Sequence, residues 1–196
     1  MAVGGQTSHA GASIVSMDLH LSPGAARYTR TAMLLHWLLA LAIVVSFVVG
    51  LQMVDMKMSV FRLKLYNWHK WAGICILALS AARLLWRLFH PPPPPPPMRA
   101  WQQRVAHATH LLLYALFFAT PLLGWAYSSA AGFPVVVFGV LPLPDWVSPG
   151  KELAELIKPW HGWAAKAMAV LVLLHVAGAL KHQLVDRDGL LRRMWS

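Results

Sequence analysis

The residues whose chemistry most needs explaining are the histidines, ten in a chain of 196 residues. Six of them, His36, His69, His107, His110, His161 and His175, lie inside long apolar segments near the segment ends, and His182 closes the last segment. An ionisable group in such a segment is costly and is by default a functional residue. One histidine alone is explained equally well by a hydrogen bond to a neighbouring helix or by a reach to the headgroups. Taken together they constrain each other. His161 and His175 are 14 residues apart, about 21 Å along a helix axis. At about 100° per residue they fall within about 40° of one face. Two imidazoles on one face, one near each membrane surface, suit two stacked cofactors.

The elements that must position them are membrane helices. The chain is 58% hydrophobic and only 12% charged, against about 25% charged in a soluble domain. Four segments reach the roughly 20 apolar residues a spanning helix needs: about 31–53, 66–89, 105–127 and 159–182. This predicts an all-α fold, an integral membrane four-helix bundle over 27–196. Pro159 suits a helix start, where its missing N–H costs nothing. Residues 1–26 are rich in Gly, Ala and Ser and lack the pattern of a signal peptide. They read as a disordered tail, in which Met17 could serve as the start. Seven prolines, Pro91 to Pro97, join the second and third spans as a polyproline II spacer of roughly 20 Å. An SH3-type ligand is the other reading of that run. The 128–158 connection holds an apolar stretch, Phe133 to Val140, too short to span and suited to the membrane interface.

Ten Lys and Arg residues fall on the side of the termini and the proline run, and seven on the opposite side. The positive-inside rule then places both termini in the cytoplasm. Trp37, Trp68, Trp71, Trp86, Trp160 and Trp163 stand at the expected interfaces, as an aromatic belt does.

Depth selects partners among the histidines. His36 lies one to two turns into the first span from the cytoplasmic side, and His175 about two turns from the cytoplasmic end of the fourth. His69 lies about one turn into the second span from the other side, level with His161. Two bis-histidine sites follow, His36–His175 and His69–His161. Structural zinc would want four ligands, usually with thiolate, and the chain has one cysteine, Cys75. Imidazole pairs across apolar helices suit the two axial positions of haem iron, leaving it fit for electron transfer rather than substrate binding. No C-x-x-C-H is present, so such haems would be haem b, held non-covalently. Gly73, Gly162, Ala164, Ala177 and Gly178 would admit a flat ring, or equally would permit close helix packing. His107 and His110 compete with His175 for His36, or meet a haem propionate, a quinone oxygen or a proton path. His9, His20 and His90 lie outside the spans.

The stretches RYTRTAMLLHW (Arg27 to Trp37), WHKWAG (Trp68 to Gly73), AHATHLLLY (Ala106 to Tyr114), Trp160 with His161, and His175 with His182 together resemble the bacterial cytochrome b561 family. They are spread over residues 27 to 195. The resemblance implies a four-helix bundle with two haems b, whose axial ligands match His36, His69, His161 and His175. The proline run and the tail depart from the usual pattern. One type of member is a superoxide oxidase, which takes electrons from periplasmic superoxide and reduces ubiquinone in the membrane. Others carry electrons for other partners.

Two functions are consistent with this resemblance. The first is a superoxide:ubiquinone oxidoreductase. Lys57, Arg62, Lys64, Lys70, Lys158 and Lys166 surround the outer pair and would steer a small anion inward, or equally would bind lipid headgroups. Arg83, Arg87, His107 and His110 could supply a quinone or proton path near the inner pair, as Trp and Lys residues could near the outer one. The second is a non-enzymatic carrier between the quinone pool and a periplasmic redox protein. A transporter or scaffold without haem is a third reading. There is no phosphate-cradling glycine loop, nucleophile elbow or H-E-x-x-H motif. The net charge of +10 brackets the spans instead of forming one patch, which argues against nucleic acid.

Overall fold

Four helices dominate the computed structural model, which describes residues 27–195. They are α1 (Arg30–Asp55), α2 (Val60–Phe89), α3 (Ala100–Ala130) and α4 (Lys151–Lys181). The expected tail, 1–26, lies outside the described residues. At 26 to 31 residues, each helix is about 39–46 Å long at 1.5 Å per residue and more than spans a hydrocarbon layer of about 30 Å. Their outer surfaces are apolar. On α1 alone Leu34, Leu41, Val44, Val45, Val48 and Leu51 are exposed, a surface that lipid, not water, stabilises.

The helix starts are written in the local sequence. Thr29 and Ser59 precede α1 and α2, and their hydroxyls accept from the backbone N–H groups of Ala32 and Arg62, each at 3.2 Å, as N-caps do. Gln102 Oε1 accepts from the backbone N–H of Arg99 at the start of α3, at 3.1 Å. The start of α4 differs from the sequence expectation. Pro159 does not open the helix; it lies inside it, two turns beyond the N-cap Gly150. The polar segment from Lys151 carries the helix out beyond its apolar stretch. Near an aqueous surface, water can serve the Glu155 carbonyl that Pro159 leaves unpaired.

The closely packed pairs are α1–α2, α2–α3 and α3–α4. Neither α1 nor α2 packs extensively on α4. A core of Leu39, Ile43, Ile76, Leu113 and Met168 joins all four helices at mid-depth. Both termini of the described chain and the proline run share one face, here the terminal face. The opposite face carries a small antiparallel hairpin, β1 (Val136–Val137) and β2 (Leu141–Pro142). It forms part of the stretch expected at the interface. Phe138 and Gly139 turn it with φ of 52° and 75°, and Trp71 Nε1 pins it by donating to the Val136 carbonyl at 2.6 Å. Beyond α4 the chain forms a π turn (His182–Asp186), bends at Arg187 with φ 52° and ends in a 3₁₀ turn (Leu191–Met194).

Candidate functional site

Two histidine pairs face each other at two depths. The His36 and His175 rings are 6.1 Å apart between centroids, and so are the His69 and His161 rings. Each pair bridges α4 to α1 or α2, across the gap where these helices do not pack closely. A metal–imidazole bond is about 2 Å. Adding about 1 Å from nitrogen to ring centre on each side gives a centroid separation of about 6 Å for two imidazoles on one metal. Both pairs meet that length.

On the hairpin face, both rings are aimed by backbone carbonyls. His69 Nδ1–H donates to the Ser46 carbonyl of α1 at 3.0 Å, with Ser46 Oγ at 3.2 Å beside it. His161 Nδ1–H donates to the Thr120 carbonyl of α3 at 3.0 Å. A carbonyl can only accept, so the proton sits on Nδ1 and the Nε2 lone pair is free. Metal-binding imidazoles are commonly fixed this way.

Each of these contacts requires a missing side chain. A Cβ built on Gly50 would lie 3.2 Å from His69 Cε1, and one on Gly124 would lie 2.9 Å from His161 Cε1. Each glycine is one turn beyond the accepting carbonyl, so the ring rests in the notch that the glycine leaves. Ser46, Gly50, Thr120 and Gly124 were not singled out from the sequence. The signal was there: a buried Ser or Thr followed four residues later by Gly, twice, in an apolar helix. The small residues picked out instead behave differently. A Cβ at Gly162 or Gly178 would meet nothing within 4 Å, and one at Gly73 would only touch Pro121.

The pair on the terminal face is built otherwise. Neither His36 nor His175 has a hydrogen-bond partner among the described residues. Trp37 stands edge-on to His36 at 5.2 Å, and His110 stands edge-on to His175 at the same distance. Arg83 Nη1 donates to the Ala32 carbonyl at 3.2 Å, the carbonyl that also serves the helical N–H of His36. Arg87 lies over the Tyr114 ring, 5.6 Å from its centre. Of the four residues considered for a quinone or proton path, Arg83 and His110 therefore border this pair. Arg87 braces α2 against α3, and His107 is exposed. Between the two levels lies the apolar core, and along the same stretch α2 and α3 carry the buried hydroxyls of Ser80 and Tyr114.

The six basic residues named for anion steering divide in two. Lys70 Nζ donates to the Pro134 carbonyl at 3.1 Å and so ties down the α3–α4 connection, and Arg62 Nε donates to the Met53 carbonyl at 2.9 Å and so holds the end of α1. Lys57, Lys64, Lys158 and Lys166 are exposed. Lys166 lies beyond His161 toward the membrane interior, where a lysine must reach back along its helix to the headgroups.

Fold and site together define a membrane cytochrome of the b type. The model of prokaryotic cytochrome b561 matches residues 27–196. Cytochrome b561 homolog 2 of Escherichia coli is 35% identical over 170 residues, 86% of this chain and 90% of that protein. Cytochrome b561 homolog 1 of the same organism is 33% identical over 172 residues, 86% and 96% of the two chains. A protein named probable superoxide oxidase CybB, of Yersinia pestis, is 28% identical over 174 residues, 86% and 95% of the two chains. The chain belongs to the prokaryotic cytochrome b561 family: a haem-b-binding protein of transmembrane electron transfer in a bacterial membrane.

Proposed function

We propose that the chain holds two haem b groups, one between His36 and His175 and one between His69 and His161, and moves electrons across the bacterial inner membrane from superoxide to ubiquinone. The observation that carries the two-haem reading is the equal 6.1 Å separation of two ring pairs at two depths. Haem b, held by these imidazoles, would supply a one-electron redox centre. The residues do the rest. Ser46 and Thr120 carbonyls hold His69 and His161 in the tautomer that presents Nε2. Gly50 and Gly124 make room for the rings. The core between the levels excludes water and charge from the path.

In the overall reaction two superoxide anions each lose one electron and leave as dioxygen. Ubiquinone takes the two electrons and two protons and becomes ubiquinol. Both termini lie in the cytoplasm in this reading, by the excess of Lys and Arg on the terminal face, and the hairpin face is periplasmic. Lys57, Lys64 and Lys158 are the residues free to attract the anion. Arg83 and His110 offer donors for a quinone carbonyl or a proton path at the other level. The similarity to a protein named probable superoxide oxidase supports the choice of donor. A carrier passing electrons between the quinone pool and a periplasmic redox protein would use the same ligands.

The experiment is stopped-flow mixing of the oxidised, purified protein with superoxide, with and without ubiquinone-1. The proposal expects fast reduction of the haem bands, and ubiquinol formation that superoxide dismutase abolishes. If superoxide leaves the bands oxidised, the oxidase reading is wrong and the carrier reading takes its place.

A further inference from the structure

Beyond α4 the chain does something the electron path does not require. The π turn from His182 to Asp186 and the left-handed Arg187 send it back over the terminal face. It is held there by Tyr28 N–H donating to the Arg193 carbonyl at 3.3 Å, by Trp37 Nε1 donating to the Met194 carbonyl at 2.9 Å, and by Arg193 Nη1 donating to the Pro94 carbonyl at 2.7 Å. This fold-back borders a half-open surface cleft of about 310 Å³ lined by Arg27, Gln183, Leu191, Arg192 and Trp195.

The charges in and around the cleft do not balance. The two nearby acids are already engaged, Asp186 with Lys181 at 2.6 Å and Asp188 with His182 at 2.6 Å. Arg27 and Arg192 have no acidic partner among the described residues, and their side chains donate no hydrogen bond there. Leu184 and Val185, exposed on the last turn beside Gln183, face where acyl chains lie if α4 spans the bilayer. Two guanidiniums without an acidic partner among the described residues, an amide and an indole thus meet at the membrane boundary, next to an apolar rim.

We propose that this cleft binds the phosphate of an anionic membrane phospholipid, with Arg27 and Arg192 holding the phosphate, Gln183 donating to it, and Leu184 and Val185 meeting the acyl chains. Guanidinium suits a phosphate because its planar fork can donate two parallel hydrogen bonds. Basic pockets at the cytoplasmic boundary of membrane helices are recurrent lipid headgroup sites. Trp195 and Leu191 make the cleft a fit for a lipid, which brings apolar surface with its phosphate.

The test uses the full-length, haem-loaded protein in detergent, with native mass spectrometry to count bound lipids. Phosphatidylglycerol, phosphatidylcholine and inorganic phosphate are titrated separately and in competition. The wild type should retain one phosphatidylglycerol in preference to phosphatidylcholine, and millimolar inorganic phosphate should not displace it. Arg27→Gln with Arg192→Gln should weaken the retained lipid about twenty-fivefold, about a factor of five for each guanidinium, with an unchanged haem spectrum as the check on folding. Arg30→Gln with Arg104→Gln, which removes the same charge elsewhere on this face, should leave it in place. Equal loss in the two double variants would make the binding diffuse surface charge and overturn the site. Equal retention of phosphatidylcholine would overturn it too. Displacement by inorganic phosphate would overturn the lipid as occupant in favour of a free anion.

Discussion

At the scale of single residues, the site depends on what two glycines lack. The Gly124 notch is the tighter, because a methyl group there would sit 2.9 Å from His161 Cε1, closer than carbon atoms pack. The chain cannot yield cheaply, since the same ring is tied to the Thr120 carbonyl. Gly124→Ala is therefore expected to displace His161 and remove one haem, read as a halved haem-to-protein ratio in a pyridine haemochrome assay. Gly50→Ala, at 3.2 Å, should weaken haem retention without abolishing it. Gly162→Ala enters open space and should leave the ratio unchanged. An order other than Gly124, then Gly50, then Gly162 would contradict the notch account. Histidine type, depth and helical phase made the ring pairs legible from sequence, because four histidines at two matched depths constrain each other where one alone would not. The notches were less legible. A glycine in a membrane helix looks the same whether it admits a neighbouring ring, as Gly124 does, or faces open space, as Gly162 does.

At the scale of elements, the four helices were legible from hydrophobic length, because lipid imposes it. Their ends were less so. The basic-interrupted start of α2, Val60 to Leu65, and the polar first turn of α4 are helical although they lie outside the long apolar runs, and Pro159 lies within a helix it was expected to start. A helix that leaves the membrane can continue in water, where the carbonyl opposite a proline is still solvated. The hairpin was legible only as an apolar interfacial stretch, since its register depends on a distant donor, Trp71 Nε1. Removing that donor gives an element-scale prediction. Trp71→Phe loses one hydrogen bond, a net of about 1 kcal/mol, and frees the Val136 carbonyl. Limited proteolysis should then cut within 131–150 several times faster than in wild type, with both haem bands intact. An unchanged cleavage rate would mean that Lys70 and Ser128 suffice to hold the connection.

At the scale of the whole molecule, the two histidine pairs lie about 21 Å apart along α4, a spacing that suits the proposed passage of electrons across the membrane. The exposed lysines of the hairpin face then act over distance. Lys57→Gln with Lys64→Gln and Lys158→Gln should slow reduction by superoxide severalfold at low ionic strength, and the difference should shrink as salt rises toward 0.15 M, where the screening length is about 8 Å. A salt-independent deficit would point to a local role for one lysine instead. The account as a whole rests on two haems held by separate pairs. The direct measurement is the haem-to-protein ratio with the reduced-minus-oxidised spectrum, for the purified wild type, His36→Ala and His69→Ala. The account predicts two haems b in the wild type and one in each variant, with the remaining bands of the two variants together reproducing the wild-type spectrum. A single haem in the wild type, or loss of both from either substitution, would contradict it.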